Sequence, residues 1–137
     1  MTSKQLEDLV RLWQGRLGLE AWRLHIEVAD LDEATYFARA EPTKTGDEAR
    51  LTFPPWVLGR GQRPSNVLPA FEGEIEATVV HELLHLVLRD LDWAMEMLEG
   101  QLHRDLDSVF KTSLNQTTER TIDRLAWALV RSWPRAT

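Results

Sequence analysis

His81 and His85 stand four positions apart, with Glu82 directly after the first, inside the apolar stretch TVVHELLHLVL of residues 78–88. Side chains at i and i+4 of a helix project from one side, so two imidazole nitrogens placed this way can reach a single ion at about 2.0–2.1 Å. Glu82 is rotated off that axis, and it can reach a water beside the ion without occupying the ion itself. Zinc lowers the pKa of its water to about 7, and a nearby carboxylate can take that proton and later return it to a leaving group. The pattern is H-E-x-x-H on a helix. Coincidence is the alternative, and on a solvated helix it would be the better account. Here the three polar groups sit among Val79, Val80, Leu83, Leu84, Leu86, Val87 and Leu88. An unpaired polar group buried there costs on the order of 1–3 kcal/mol. A shared metal accounts for all three at once.

A catalytic zinc takes three protein ligands and keeps one position open. The downstream candidates are Asp90, Asp92, Glu96, Glu99, His103, Asp105, Asp107, Glu119 and Asp123. On a helix expected from about Thr118 to Trp133, the residues Ile122, Leu125, Ala126, Leu129, Val130 and Trp133 form one apolar stripe. At about 100° per residue Glu119 falls within that stripe, to one side of its centre, and Asp123 on its border, with Arg120, Arg124 and Arg131 facing away. An inward-facing acid needs a partner. Glu119 is therefore the first candidate, and a capping role in the first helical turn, with Thr117 or Thr118 as N-cap, is compatible with ligation. His103 is the rival ligand, beside rather than within the apolar stripe of a helix expected from Trp93 to about Thr112. Asp90 and Asp92 lie too close to the end of the first helix to fold back easily, and most of the other acids read as solvated helix surface. His25 alternates with Leu24 and Ile26 and reads as a surface residue.

The elements that must position these groups can be placed by period. Leu6, Leu9, Val10, Trp13 and Leu17 mark an amino-terminal helix that Gly15 and Gly18 end. WRLHIEV alternates as a half-buried strand, ATYFARAEP and EARLTF are two more strands, and TKTGDE between them reads as a hairpin turn. This predicts a small, mostly antiparallel sheet. PPWVLGRGQRPSNVLP, residues 54–69, is a long loop of the kind that is often functional. Three helices follow: about Phe71 to Arg89 with the H-E-x-x-H, Trp93 to about Thr112 with Met95, Leu98, Leu102, Leu106 and Val109 on one face, and the Glu119 helix. Gly100 weakens the second of them by about 1 kcal/mol relative to Ala. The fold class expected is α+β in a single domain spanning the 137 residues.

Composition narrows the function further. A formal net charge of −6 opposes non-specific binding to nucleic acid or anionic membranes. The chain has no cysteine, which excludes disulfides, thiolate metal sites and cysteine nucleophiles. MTSKQLEDLVRLW lacks the apolar run of a signal peptide, and no stretch is apolar enough to span a bilayer, so a cytoplasmic location is expected.

His81-Glu82-Leu83-Leu84-His85 followed by Glu119-Arg120-Thr121-Ile122-Asp123 resembles the gluzincin branch of zinc metallopeptidases. In that family a glutamate from a later helix, within E-x-x-x-D, completes the site. The resemblance implies His81, His85 and Glu119 as ligands of one zinc ion, Glu82 as general base and then acid, and Asp123 as the acid that orients His81 through its other ring nitrogen. The order of elements over roughly residues 22–133 is similar to a zincin-like core, and the length to minigluzincin-like and phage-type predicted metallopeptidases. Larger gluzincins add a His or Tyr that stabilises the oxyanion; Tyr36 and His103 are the conceivable substitutes here. The expected activity is hydrolysis of peptide bonds, with a peptide or protein substrate laid along a sheet edge beside ARLTF. Two other readings stay open: a zinc-stabilised binding or regulatory module without turnover, and an SprT-like protease with His103 as the metal ligand.

Overall fold

Thr2 starts the first helix by closing a capping box. Its hydroxyl accepts the Gln5 N–H at 3.1 Å, and the Gln5 side-chain oxygen accepts the Thr2 N–H at 2.8 Å, which satisfies two donors that the helix start would leave orphaned. The computed structural model that shows this describes residues 1–31, 38–43, 46–60, 73–99 and 104–134. Helix α1 (Ser3–Arg16) buries Leu6, Val10 and Trp13 and ends before Gly18, whose φ of 71° lies in the left-handed region that favours glycine.

Three strands follow, β1 (Arg23–Val28), β2 (Arg39–Pro42) and β3 (Glu48–Phe53), in the order β1-β3-β2. β2 and β3 form the expected antiparallel pair, but β1 runs parallel to β3. The sheet is therefore mixed, which corrects the expectation of a mostly antiparallel one. The reason lies in composition: Ala49, Leu51 and Phe53 make β3 the strand whose inner face is almost wholly buried, so it takes the centre. β2 carries Arg39, Glu41 and Pro42, residues suited to an edge. Because β3 is paired on both sides, no substrate strand can add beside ARLTF, and the edge that packs against the next helix is β2. In the β2–β3 register Thr43 N–H bonds Glu48 C=O at 2.9 Å and Ala40 lies opposite Leu51. Antiparallel ladders alternate, so the backbone groups of Ala40 and Pro42 point away from β3.

After β3, Pro55–Leu58 form a short 3-10 turn that buries Val57; positions 61–69 of the expected loop lie outside the described residues. Helix α2 (Glu74–Val87) begins after Gly73, whose φ of 81° lies in the left-handed region that favours glycine. Helices α3 (Arg89–Glu99) and α4 (Arg104–Ser132) complete the chain. The two helices expected over 93–112 and 118–133 are thus divided differently. Gly100 follows the last residue of α3, while no glycine or proline interrupts the 29 residues of α4. The polar run around Ser113, Asn115 and Thr117 was expected to separate helices; it is instead helix whose side chains face water. Leu98, Val109 and Leu125, expected to face inward, are exposed.

The core lies between α1, the inner face of the sheet, α2 and the carboxyl-terminal half of α4. Trp13 locks the helices together: its Nε1 donates to Glu76 Oε1 at 2.8 Å, and its ring meets Trp133 edge-on with centroids 5.2 Å apart. No helix among the described residues is long and apolar enough to cross a membrane.

Candidate metal centre

Helix α2 is apolar nearly all round, and Val79, Val80, Leu83, Leu84 and Leu86 are buried against the sheet and its neighbouring helices. That packing fixes the rotation of the helix and leaves His81 and His85 on the side facing α4. Their ring centroids are 5.1 Å apart, and their side chains are 17% and 22% exposed. Both rings are held by the protein while one edge stays open to solvent.

From α4, Ile122 and Ala126 insert fully into the core and set that helix against α2. Glu119 stands one turn before Ile122, so the same packing carries its carboxylate onto the histidine pair. Glu119 Oε2 is 3.0 Å from His81 Nε2, and Oε1 is 3.0 Å from His85 Nε2. Asp123, one further turn along, places Oδ1 3.6 Å from His81 Nδ1. Glu119 lies deep inside α4 rather than in a first helical turn, so neither the dipole nor a cap at Thr117 or Thr118 explains it. Its partners are the two imidazoles.

The protonation pattern follows from these contacts. The hydrogen bonds from His81 and His85 hold the Glu119 carboxyl far below the usual carboxylate range. Burial pulls the His81 imidazole downward, but the hydrogen bond to Glu119 and the charges of Glu82 and Glu119 together outweigh it and leave its pKa above 6.5. Glu82 is only 7% exposed. Burial pushes its carboxyl up against the opposing pull of the two histidines and of the Ala40 N–H, which donates to it from β2. Two carboxylates beside the same imidazoles, one from α2 and one from α4, are thus driven in opposite directions.

The donor set fits a metal ion. One atom each from His81, His85 and Glu119 can be chosen so that all lie within 4.8 Å of one another, and among the described residues no other group of three or more such side chains meets in this way. Tetrahedral ligands at zinc distances lie about 3.3 Å apart, close to the 3.0 Å separations between Glu119 and each imidazole. A carboxylate only accepts, so both Nε2 atoms carry protons in this arrangement. To bind a metal each must give up its proton, and the proton that His81 keeps is then on Nδ1, the nitrogen that faces Asp123.

No family model, no curated protein and no solved structure matches this chain. The reading of the site rests on its own geometry. The structure brings His81, His85, Glu119 and Asp123 together and sets Glu82 beside the pair with its carboxylate against β2. His103 and Tyr36 lie outside the described residues. His25 is on the outer face of the sheet, 2.6 Å from Glu48 Oε1. The group that sequence reasoning missed is the Ala40 N–H: a backbone donor has no side-chain signature, and only Pro42, a residue confined to edges and bulges, marks β2 as the strand with free outward groups.

Proposed function

We propose that this chain is a zinc-dependent metallopeptidase with a zincin-like, gluzincin-type fold, in which Glu82 acts as general base and then general acid in peptide-bond hydrolysis. The observation that carries the reading is the meeting of His81 Nε2, His85 Nε2 and both oxygens of Glu119 at 3.0 Å, next to a buried acid on the same helix. A zinc ion held by these three residues supplies Lewis acidity toward a carbonyl and toward water. Glu82 takes the proton of the attacking water and delivers it to the nitrogen of the leaving amine. Its burial favours the protonated form, which suits a group that must hold a proton between two steps. Asp123 orients His81 from Nδ1.

The substrate backbone lies along β2, the edge strand beside α2. Pro42 has no N–H, and the N–H of Ala40 is directed to Glu82. The outward edge of β2 therefore presents carbonyls, and a peptide pairing with it contributes the N–H groups.

The test is metal analysis of the purified protein followed by a peptide-library screen of the zinc-loaded form. Cleavage that is lost on chelation and restored by zinc supports the enzyme. One tightly held zinc per chain without cleavage of any peptide supports a zinc-stabilised binding or regulatory module instead. Less than about one zinc per chain after loading removes both. Glu119→Ala and His103→Ala, each assayed for zinc content, separate the gluzincin arrangement from an SprT-like one: loss of zinc from the Glu119 variant alone favours the former.

A further inference from the structure

α4 is a single helix of 29 residues, yet its two halves are held differently. From Ile122 onward the inner side is buried or half-buried in the core through Ala126, Leu129, Val130 and Trp133. From residue 108 to residue 121 no described side chain is buried; only Leu114 and Thr118 reach the half-buried class. The sequence in this span is also a poor helix former. Thr112, Ser113, Asn115, Thr117, Thr118 and Thr121 all rank low in intrinsic propensity. Thr121 further returns its hydroxyl to Thr117 C=O at 2.8 Å, a bond that slightly weakens and bends helices. Among the described side chains of this half neither propensity nor burial accounts for its stability, and the contacts that tie it to α2 include those of Glu119 with the two imidazoles.

We propose that metal binding at His81, His85 and Glu119 sets the stability of residues 108–121, so that this half of α4 opens as one unit in the metal-free protein and is closed by the ion. The inference rests on the metal-site reading and adds a structural consequence to it. Helical hydrogen bonds link each residue to the one four before it, so an opening that starts toward the amino-terminal end spreads until a buried contact stops it. That contact is Ile122, and Glu119 lies inside the unit. An ion that ties Glu119 to α2 binds only the closed form. Mass action then suppresses every opening that includes residue 119, by a factor of about 1 + [metal]/Kd.

Hydrogen exchange of the full chain, metal-free and zinc-loaded, tests this. At free zinc about 100 times its Kd, amides of residues 108–121 exchange about 100-fold more slowly than in the metal-free protein. Glu119→Ala abolishes that slowing, and unchanged exchange in α1 verifies that the variant is folded. Asn115→Ala combined with Thr117→Ala, both at exposed positions, slows exchange of residues 108–121 in the metal-free protein and leaves the slowing factor due to zinc unchanged at the same ratio of free zinc to Kd. Equal exchange of residues 108–121 with and without about one bound zinc per chain overturns the inference while leaving the metal site standing. Equal slowing of residues 108–121 and α1 overturns it too, because the opening unit is then the whole domain. Failure of the wild-type chain to bind zinc overturns the metal-site reading and this inference with it.

Discussion

His81 Nε2 and Glu119 Oε2 meet at 3.0 Å although 38 positions separate them in the chain. The contact crosses the interface of α2 and α4, where fully buried Ile122 and Ala126 determine how far along α4 the carboxylate falls. The site is thus a product of helix packing, and disturbing that packing should disturb the chemistry.

Replacing Ile122 with Ala should lower stability by about 2–5 kcal/mol, the usual cost of truncating a buried aliphatic side chain. It should also weaken zinc binding, because Glu119 loses its seat one turn away. Urea unfolding and chelator competition measure the two effects. Loss of stability with unchanged zinc affinity would show that Glu119 is positioned independently of the core.

Replacing Glu82 with Gln keeps the size and removes the proposed base. Hydrolysis should fall by a factor of about 10² to 10⁴ with zinc content unchanged, as read from kcat/KM and metal analysis. Undiminished hydrolysis would take Glu82 out of the reaction.

Asp123→Asn should weaken zinc affinity by about 10- to 100-fold, the usual effect of removing a carboxylate that orients a metal-bound imidazole. The 3.6 Å gap to His81 Nδ1 must shorten for that role. Zinc affinity equal to wild type would make Asp123 a surface acid.

The pH dependence has a definite sign. His81 has a folded pKa above 6.5, so in the metal-free protein its contribution to stability is complete below 6.5 and is lost as pH rises through the folded value. Glu119 is depressed below 4.5, so its contribution is present above 4.5 and is lost as pH falls. The pair therefore stabilises the metal-free chain most between about 4.5 and 6.5. Zinc requires the deprotonated imidazole, and its affinity should fall as pH drops through the raised His81 value. Chemical denaturation with chelator present, compared with zinc titration across the same pH range, checks both signs. A zinc affinity that is flat from pH 8 to 6 would contradict the raised His81 pKa.

Much of the site can be read in the sequence because helical period projects directly into space. A spacing of four from His81 to His85 means one face, and the spacing of Glu119 to Ile122 and Ala126 means an inward carboxylate. The continuity of α4 was not legible, since Ser, Asn and Thr at exposed helical positions look the same as a break when only their propensities are considered. The parallel pairing of β1 was hidden for a related reason. Alternation identifies a strand and its buried face but carries no record of the neighbour it pairs with. The Ala40 donor was beyond reach, because every non-proline residue has an N–H and only tertiary placement gives one of them a task.

The outward edge of β2 has one more consequence, for solubility. Two exposed strand edges zip together when each offers donors to the other's acceptors. At Ala40 and Pro42 this edge has acceptors alone, one N–H being turned toward Glu82 and the other absent. Two copies meeting edge to edge would oppose carbonyl to carbonyl and gain no hydrogen bond there. At these two positions the β2 edge is therefore protected against pairing with a copy of itself, while the proposed substrate, an extended chain, would bring the N–H groups that the edge lacks.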